Sequence, residues 1–228
     1  MTRAILVRHG QTTANAAGVL AGRSEVELND SGIADAERLG RTLADVPLAQ
    51  VVTSPMRRTV QTAQLLLDAR SDAVEVVTDD GLAEMEYGSW TGRPLAELAK
   101  DPLWSMVQSH PAAVRFPEGE SMAQMSARAV AAVRSRCLDP TDGTADPSTP
   151  RNILFVSHGD VIKAVLADAL GLHLDTFQRI VVHPASVSVI NYVAGRPFVE
   201  RINDCNGNYD DLVPPAPTEA VPGGSKGR

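Results

Sequence analysis

The chain is predicted to fold as a three-layer α/β/α sandwich on a mostly parallel central sheet, and three observations carry that prediction. Two short runs, Ala4-Ile5-Leu6-Val7 and Ile153-Leu154-Phe155-Val156, are apolar throughout, as strands buried on both faces of a sheet must be. Between and beyond them, strand-like runs alternate with stretches of helical periodicity, the pattern of crossover units feeding a parallel sheet. The 228 residues, 43% hydrophobic and 21% charged, are enough to bury a sizeable core and match a globular composition rather than a disordered one.

The elements follow in order. After the first strand, Gln11 to Asn29 is polar and offers turns at Gly18 and Gly22, so it reads as an active-site loop. Asn29-Asp30-Ser31-Gly32 supplies capping chemistry before Ile33, Ala36, Leu39 and Leu43, an amphipathic helix that Pro47 stops. Gln50 to Thr53 is a second strand. Ser54-Pro55 reads as the start of a helix whose apolar side is Val60, Ala63 and Leu67. Val74-Glu75-Val76-Val77 alternates as a strand, and the Asp79-Asp80-Gly81 turn follows. From Tyr87 to Glu120 the periodicity fades under Pro94, Pro102, Pro111 and Pro117. This is expected to be an irregular insertion with one short helix around Leu95 to Ala99, and long connections of this kind are usually functional. Met122, Met125, Ala129 and Val133 mark a helix, and Asp139 to Pro150 a loop. After the strand at 153–156, Val161, Val165 and Ala169 form a helix that runs to Gly171, a residue suited to the left-handed position past a helix end. Ser186 to Val193 and Phe198 to Ile202 are the last strands. Residues 1–212 are thus expected to be a single domain, and 213–228, rich in Pro and Gly, a flexible tail with no core-forming face.

Composition excludes several function classes. A net charge of -7 argues against general nucleic-acid binding, which wants a basic face. Lys100, Lys163 and Lys226 are the only lysines, so arginine supplies nearly all positive charge. Two cysteines, Cys137 and Cys205, make no disulfide framework and read as free thiols, Cys137 buried on a helix. No charged segment followed by an apolar stretch opens the chain, and no run is long enough to span a bilayer. The expectation is a cytoplasmic protein with a small-molecule partner, no nucleic-acid or membrane partner, and a surface compatible with a homo-oligomer.

Each of the two apolar strands ends in a His-Gly pair, within Arg8-His9-Gly10 and Ser157-His158-Gly159. Ligands of open α/β sheets collect outside the strand C-terminal ends, so both imidazoles are expected to face one crevice. Glycine after each histidine would let backbone N–H groups approach an oxyanion, and Arg8 adds a planar donor fork suited to phosphate. The chemistry suggested is phosphoryl transfer through histidine. Either histidine alone would ordinarily be structural or merely exposed; the pair together with Arg8 carries the functional reading. A metal site is the rival, but H-x-x-x-H and H-E-x-x-H spacings and an acidic cluster beside either His-Gly are missing, so no metal and no cofactor are expected.

Four blocks extend this reading. Arg8 to Asn15 reads R-H-G-x-T-x-x-N, and Ser54-Pro55-Met56-Arg57-Arg58-Thr59-Val60-Gln61-Thr62-Ala63 reads S-P-x-x-R-x-x-Q-T-A. Leu82 to Gly92 reads L-x-E-x-x-x-G-x-W-x-G, and Ser157-His158-Gly159 closes the set, with Gly119-Glu120-Ser121 before it. In this order the blocks resemble the histidine phosphatase superfamily, the phosphoglycerate-mutase-like clan. The resemblance implies that His9 is the nucleophile that becomes phosphohistidine, that Arg8, Arg58 and His158 grip the phosphoryl oxygens, and that Asn15 and the Gly159 N–H add donors. It makes Glu84 the proton donor to the leaving alkoxide, a task that needs a carboxyl pKa raised by burial or by a neighbouring charge. Alignment to Gln61-Thr62-Ala63 selects Arg58 over Arg57, and spacing to Gly88 and Trp90 selects Glu84 over Glu86. Trp90 reads as packing, while Gln11 and Gly22 are expected to line the substrate side.

The departures bear on specificity. Thr59 stands where the family has alanine. Glycolytic mutases of the clan carry a longer insertion between the acid and the second histidine, with an adjacent arginine pair for the substrate carboxylate; this chain has isolated Arg93, Lys100 and Arg115 there. A metal-independent phosphomonoesterase acting on small phosphorylated metabolites is therefore expected, with a phosphomutase using the same site as the alternative. A third reading, an inactive phosphate-binding regulatory member, is opposed by the intact His9, Glu84 and His158.

Overall fold

The computed structural model describes residues 1–138, 151–205, 207, 209, 212 and 213. The expected loop at 139–150 and the tail at 214–228 lie outside the described residues. Six strands form one sheet: β1 (Thr2–Arg8), β2 (Gln50–Thr53), β3 (Val76–Thr78), β4 (Arg151–Ser157), β5 (Val187–Val193) and β6 (Arg196–Asp204), in the order β3-β2-β4-β1-β5-β6. The first four neighbours run parallel, whereas β5 is antiparallel to β1 and β6 antiparallel to β5. The two-residue turn at Ala194-Gly195, both with positive φ, makes β5 and β6 a hairpin, which must be antiparallel.

The sheet is covered on both faces. Along β1 the side chains alternate: Ile5 and Val7 pack with Leu39 and Leu43 of α2 (Asp30–Leu43) and Ala63 and Leu66 of α3 (Arg57–Leu67). Ala4 and Leu6 pack on the opposite face with α6 (Met122–Leu138) and α7 (Gly159–Ala169). Asn29 caps α2, its side-chain oxygen accepting the Gly32 N–H at 2.8 Å, and Gly171 takes the left-handed conformation after α7 at φ 66°, both as the sequence predicts. Cys137 is buried in α6 and Cys205 exposed, and both are free. Tyr209 and Leu212 are buried in the α2/α3 core, with Val213 packed against it. No helix of the described residues is long and apolar enough to cross a membrane.

Three local expectations need correction. The loop after β1 contains a one-turn helix, α1 (Thr13–Ala16), closed by a reciprocal cap between Thr12 and Asn15. The insertion holds two short helices, α4 (Leu95–Leu98) and α5 (Trp104–Ser109), rather than one; α5 is held by Val107 against the core, a contact no local pattern encodes. Ser54-Pro55 does not cap α3, which starts after Met56 without a side-chain cap.

Candidate active site

The register of β1 and β4 explains why the two His-Gly pairs meet. Arg8 lies level with Ser157 in the parallel ladder, so the next residue on each strand, His9 and His158, leaves the sheet at the same height. β1 and β4 are also where the strand order reverses, the position at which α/β sheets open a crevice. The two rings stand 5.3 Å apart, edge to face.

His9 is oriented by its neighbour. Its Nδ1 lies 2.7 Å from the Gly10 carbonyl, and a carbonyl can only accept, so Nδ1 carries the proton and Nε2 the lone pair. Burial, then the charges of Arg58 and Arg8, hold the imidazole well below the usual histidine range, and the ring is neutral. His158 is fully buried and is likewise held well below that range by burial and then by Arg58. Its Nε2 is 2.7 Å from the Ser54 hydroxyl, and its Nδ1 is 3.9 Å from Glu84 Oε2.

Two arginines converge on the same space, each tethered by backbone carbonyls. Arg8 donates from Nη1 to the Val182 carbonyl at 2.7 Å. Arg58, itself buried, donates to the carbonyls of Ser24 at 3.0 Å and Gly22 at 2.6 Å. Arg8 Nε and His158 Nδ1 are buried polar atoms with no hydrogen-bond partner among the described residues. Buried polar atoms ordinarily find a partner, so both are available to a polar ligand or a water entering there.

Glu84 stands opposite. Its carboxyl is pushed up to about 7 by burial first and by the negative charge of Asp160 second, while Arg58 pulls the other way. Near neutrality it therefore exists in both forms, as a group that gives and later takes a proton requires. The backbone beneath it is clamped by Arg128 of α6, which donates to the carbonyls of Gly81 at 2.9 Å, Ala83 at 2.6 Å and Glu84 at 3.1 Å. Arg128 is in turn paired with Glu120 through Nε at 3.0 Å and Nη2 at 2.6 Å.

One cavity of about 480 Å³ gathers Arg8, His9, Asn15, Gly22, Arg58, Glu84 and Gly159 along its wall. Three expectations change. His158 is not part of that wall, being fully buried. Gln11 is not part of that wall; its side-chain oxygen accepts from Asn29 at 2.9 Å. Gly10 offers no N–H to a ligand, because that group donates to Thr62 Oγ1 at 3.1 Å. Its missing Cβ serves packing instead, since a Cβ there would lie 2.5 Å from the Gly32 carbonyl oxygen. Gly159 does face the site, with room for the Arg8 guanidinium 3.4 Å from where its Cβ would be. Trp90 packs as expected, 5.2 Å from Phe116 and stacked on Trp104, while also lining the cavity.

Sequence reasoning missed Ser54, Asp160 and the Arg128–Glu120 clamp. Ser54 and Asp160 lay within or beside blocks already read, and Glu120 lay in the Gly-Glu-Ser element. Nothing in the local pattern of α6 distinguished Arg128 from a solvated charge.

With this geometry in view, the relatives are informative. A model of the histidine phosphatase superfamily (branch 1) matches residues 4–205. A Yersinia pestis (strain Pestoides F) protein named "Probable phosphoglycerate mutase GpmB" is 34% identical over 195 residues, 84% of this chain and 86% of that protein. Bacillus stearothermophilus YhfR superposes with a TM-score of 0.79 at 27% identity, covering 93% of this chain and 100% of its own. A mycobacterial glucosyl-3-phosphoglycerate phosphatase, solved as a complex with VO3, superposes with a TM-score of 0.76 at 25% identity over 88% of this chain and 98% of its own. Match, fold and the paired His-Gly strand ends agree: this chain belongs to branch 1 of the histidine phosphatase superfamily.

Proposed function

We propose that the protein is a phosphomonoesterase that hydrolyses small phosphorylated metabolites through a phosphohistidine at His9. The observation that carries this reading is the bare Nε2 of His9 lying among buried donors. Its Nδ1 is committed to Gly10, and Arg8 Nε and His158 Nδ1 have no partner among the described residues. Phosphoryl transfer needs positioning and charge stabilisation more than covalent help, and tethered arginines supply both without reorganising.

In the first step His9 Nε2 forms a bond to phosphorus as the bond to the ester oxygen breaks, and the Glu84 proton passes to the departing oxygen. In the second, Glu84 as carboxylate takes a proton from water, the water oxygen bonds to phosphorus, and the N–P bond breaks to release inorganic phosphate. Arg8, Arg58, the Asn15 amide, the Gly159 N–H and His158 hold the three phosphoryl oxygens. The Asn15 side-chain oxygen is occupied by Thr12, which turns its NH₂ outward as a donor. A Ser54 hydroxyl that donates to His158 Nε2 puts the His158 proton on Nδ1, 3.9 Å from Glu84 Oε2. Charge neutralisation by these cations makes the reaction metal-independent.

We also propose that residues 1–212 form the catalytic domain of a cytoplasmic enzyme, that the 87–120 insertion sets substrate choice, and that the tail beyond the packed Val213 is dispensable. A phosphomutase with the same first step is the alternative. The hydrolase is favoured because none of Arg93, Lys100 and Arg115 lines the cavity, so no paired cation clamp from the insertion would hold a bound intermediate while it turns around.

The test is trapping by alkaline quench. Wild type incubated with a phosphomonoester should carry an acid-labile, base-stable phosphoryl group, release stoichiometric phosphate and need no bisphosphate primer. His9→Ala should fold and do neither. Turnover above a few per cent in His9→Ala would overturn the mechanism, and positional exchange without phosphate release would make the mutase reading correct.

A further inference from the structure

The cavity is too large for the phosphate end alone. Its volume of about 480 Å³ is that of a site for a drug-sized ligand, and a three-carbon acid phosphate would leave much of it filled with water. Its lining includes an aromatic and aliphatic group, Trp90, Trp104, Phe116 and Val107, in which Trp90 stacks on Trp104 and packs on Phe116. It also includes Asp160, Lys163 and Gln178, of which Lys163 and Gln178 have no part in the proposed reaction.

The hydrogen bonding of this polar group is one-sided. Asp160 Oδ2 accepts from the Tyr87 hydroxyl at 2.8 Å and Oδ1 faces Lys163 Nζ at 3.4 Å, so both its oxygens are engaged. Lys163 also donates to Gln178 Oε1 at 3.1 Å and lies 5.6 Å from the centre of the Phe177 ring. Because an ammonium can only donate, it fixes the Gln178 amide with its oxygen inward and its NH₂ left over. Beyond these contacts the group offers a ligand donors, the remaining ammonium proton and the Gln178 NH₂, while each of its acceptor oxygens already holds one donor. Lys163 follows Gly159 by one helical turn on the same face of α7, about 6 Å further along the axis.

We propose that Lys163 and Gln178 form a second subsite that binds a carboxylate on the leaving group, making the preferred substrate a phosphomonoester of a bulky, apolar-bodied hydroxy acid. This rests on the reading of the arginine end as the phosphate site. Asp160 already offsets much of the Lys163 charge, which suits a singly charged carboxylate better than a second phosphate dianion. The aromatic and aliphatic lining takes the body between the two anionic ends.

The experiment compares 4-(2-carboxyethyl)phenyl phosphate with its methyl ester, an uncharged analogue of nearly the same shape. Calorimetric binding to full-length His9→Ala reads the pair without turnover. The acid should bind about 10-fold or more tightly than the ester, the gain expected of a charge-assisted hydrogen bond. Adding Lys163→Met should bring the ratio within about twofold, and Gln178→Leu should lower it in a variant that leaves the Lys163–Asp160 pair intact. Equal binding of acid and ester, a ratio unmoved by both substitutions, or tighter binding of an analogue with a second phosphate in place of the carboxylate would overturn the subsite. Failure of inorganic phosphate to compete with either probe would instead overturn the phosphate-site reading.

Discussion

Glu84→Gln separates proton donation from every other function of the site. With its carboxyl near 7, Glu84 is about half protonated at pH 7, whereas a carboxyl at the ordinary 4.5 would be protonated about once in 300 molecules. The buried setting thus enlarges the acid form roughly 150-fold, within the 100- to 10,000-fold that general acid catalysis contributes. Glutamine keeps the shape and cannot give the proton. With an alkyl phosphate, kcat/KM should fall about 100- to 10,000-fold; with nitrophenyl phosphate, whose leaving group needs no proton, by less than about 10-fold. kcat/KM is the right quantity because it covers steps only through phosphoryl transfer, so loss of Glu84 as base in the second step does not contaminate it. The wild-type alkyl-phosphate profile should fall above about pH 7, because the required form is the protonated one, and Glu84→Gln should lose that limb. Asp160→Asn removes a charge that favours the proton and should move the limb to lower pH. Linkage gives an independent check. A carboxyl whose folded pKa is raised contributes stability below its unfolded pKa that is lost as pH rises through the folded value. Wild type should therefore lose stability relative to Glu84→Gln between about pH 4.5 and 7. Equal losses on both substrates would refute the assignment and move the test to Glu86.

Four further outcomes follow from the same structure. Chelators should leave turnover unchanged, and orthovanadate should inhibit as a trigonal-bipyramidal mimic; activity lost in EDTA and restored by a divalent cation would show that a metal does the work assigned to the arginines. Arg128→Ala unpairs the carbonyls under Glu84 and the Glu120 carboxylate, so it should lower stability by about 2–3 kcal/mol and kcat for alkyl phosphates more than for nitrophenyl phosphate, with Arg128→Lys recovering part of each; denaturant melts and paired kinetics read this. Gly10→Ala sets a Cβ 2.5 Å from the Gly32 carbonyl oxygen and should cost about 1–3 kcal/mol by overpacking, visible as a lower Tm. Removing residues 214–228, after the packed Val213, should alter neither Tm nor kinetics; a marked rise in KM would show that this segment reaches the site.

The layered fold and the residues at its functional edge are legible in the order of side chains along the chain. Hydrophobic periodicity is a local property, and it marked strands, helices and the two His-Gly strand ends before any tertiary contact was known. Strand ends at a reversal of sheet order open a crevice, so His9 and His158 could be expected there, and the spaced blocks brought Arg58 and Glu84 with them. How these groups are held, and what else joins them, depends on long-range packing. Whether Gly10 presents its N–H to a ligand or spends it on Thr62, and whether Gln11 faces the site or Asn29, depends on which distant elements pack against β1. The Arg128 clamp and the Tyr87–Asp160–Lys163–Gln178 wall unite residues from separate segments. A hydrogen bond between side chains far apart in sequence leaves no periodic trace, because it is set by the docking of α6, α7 and the insertion rather than by any one element.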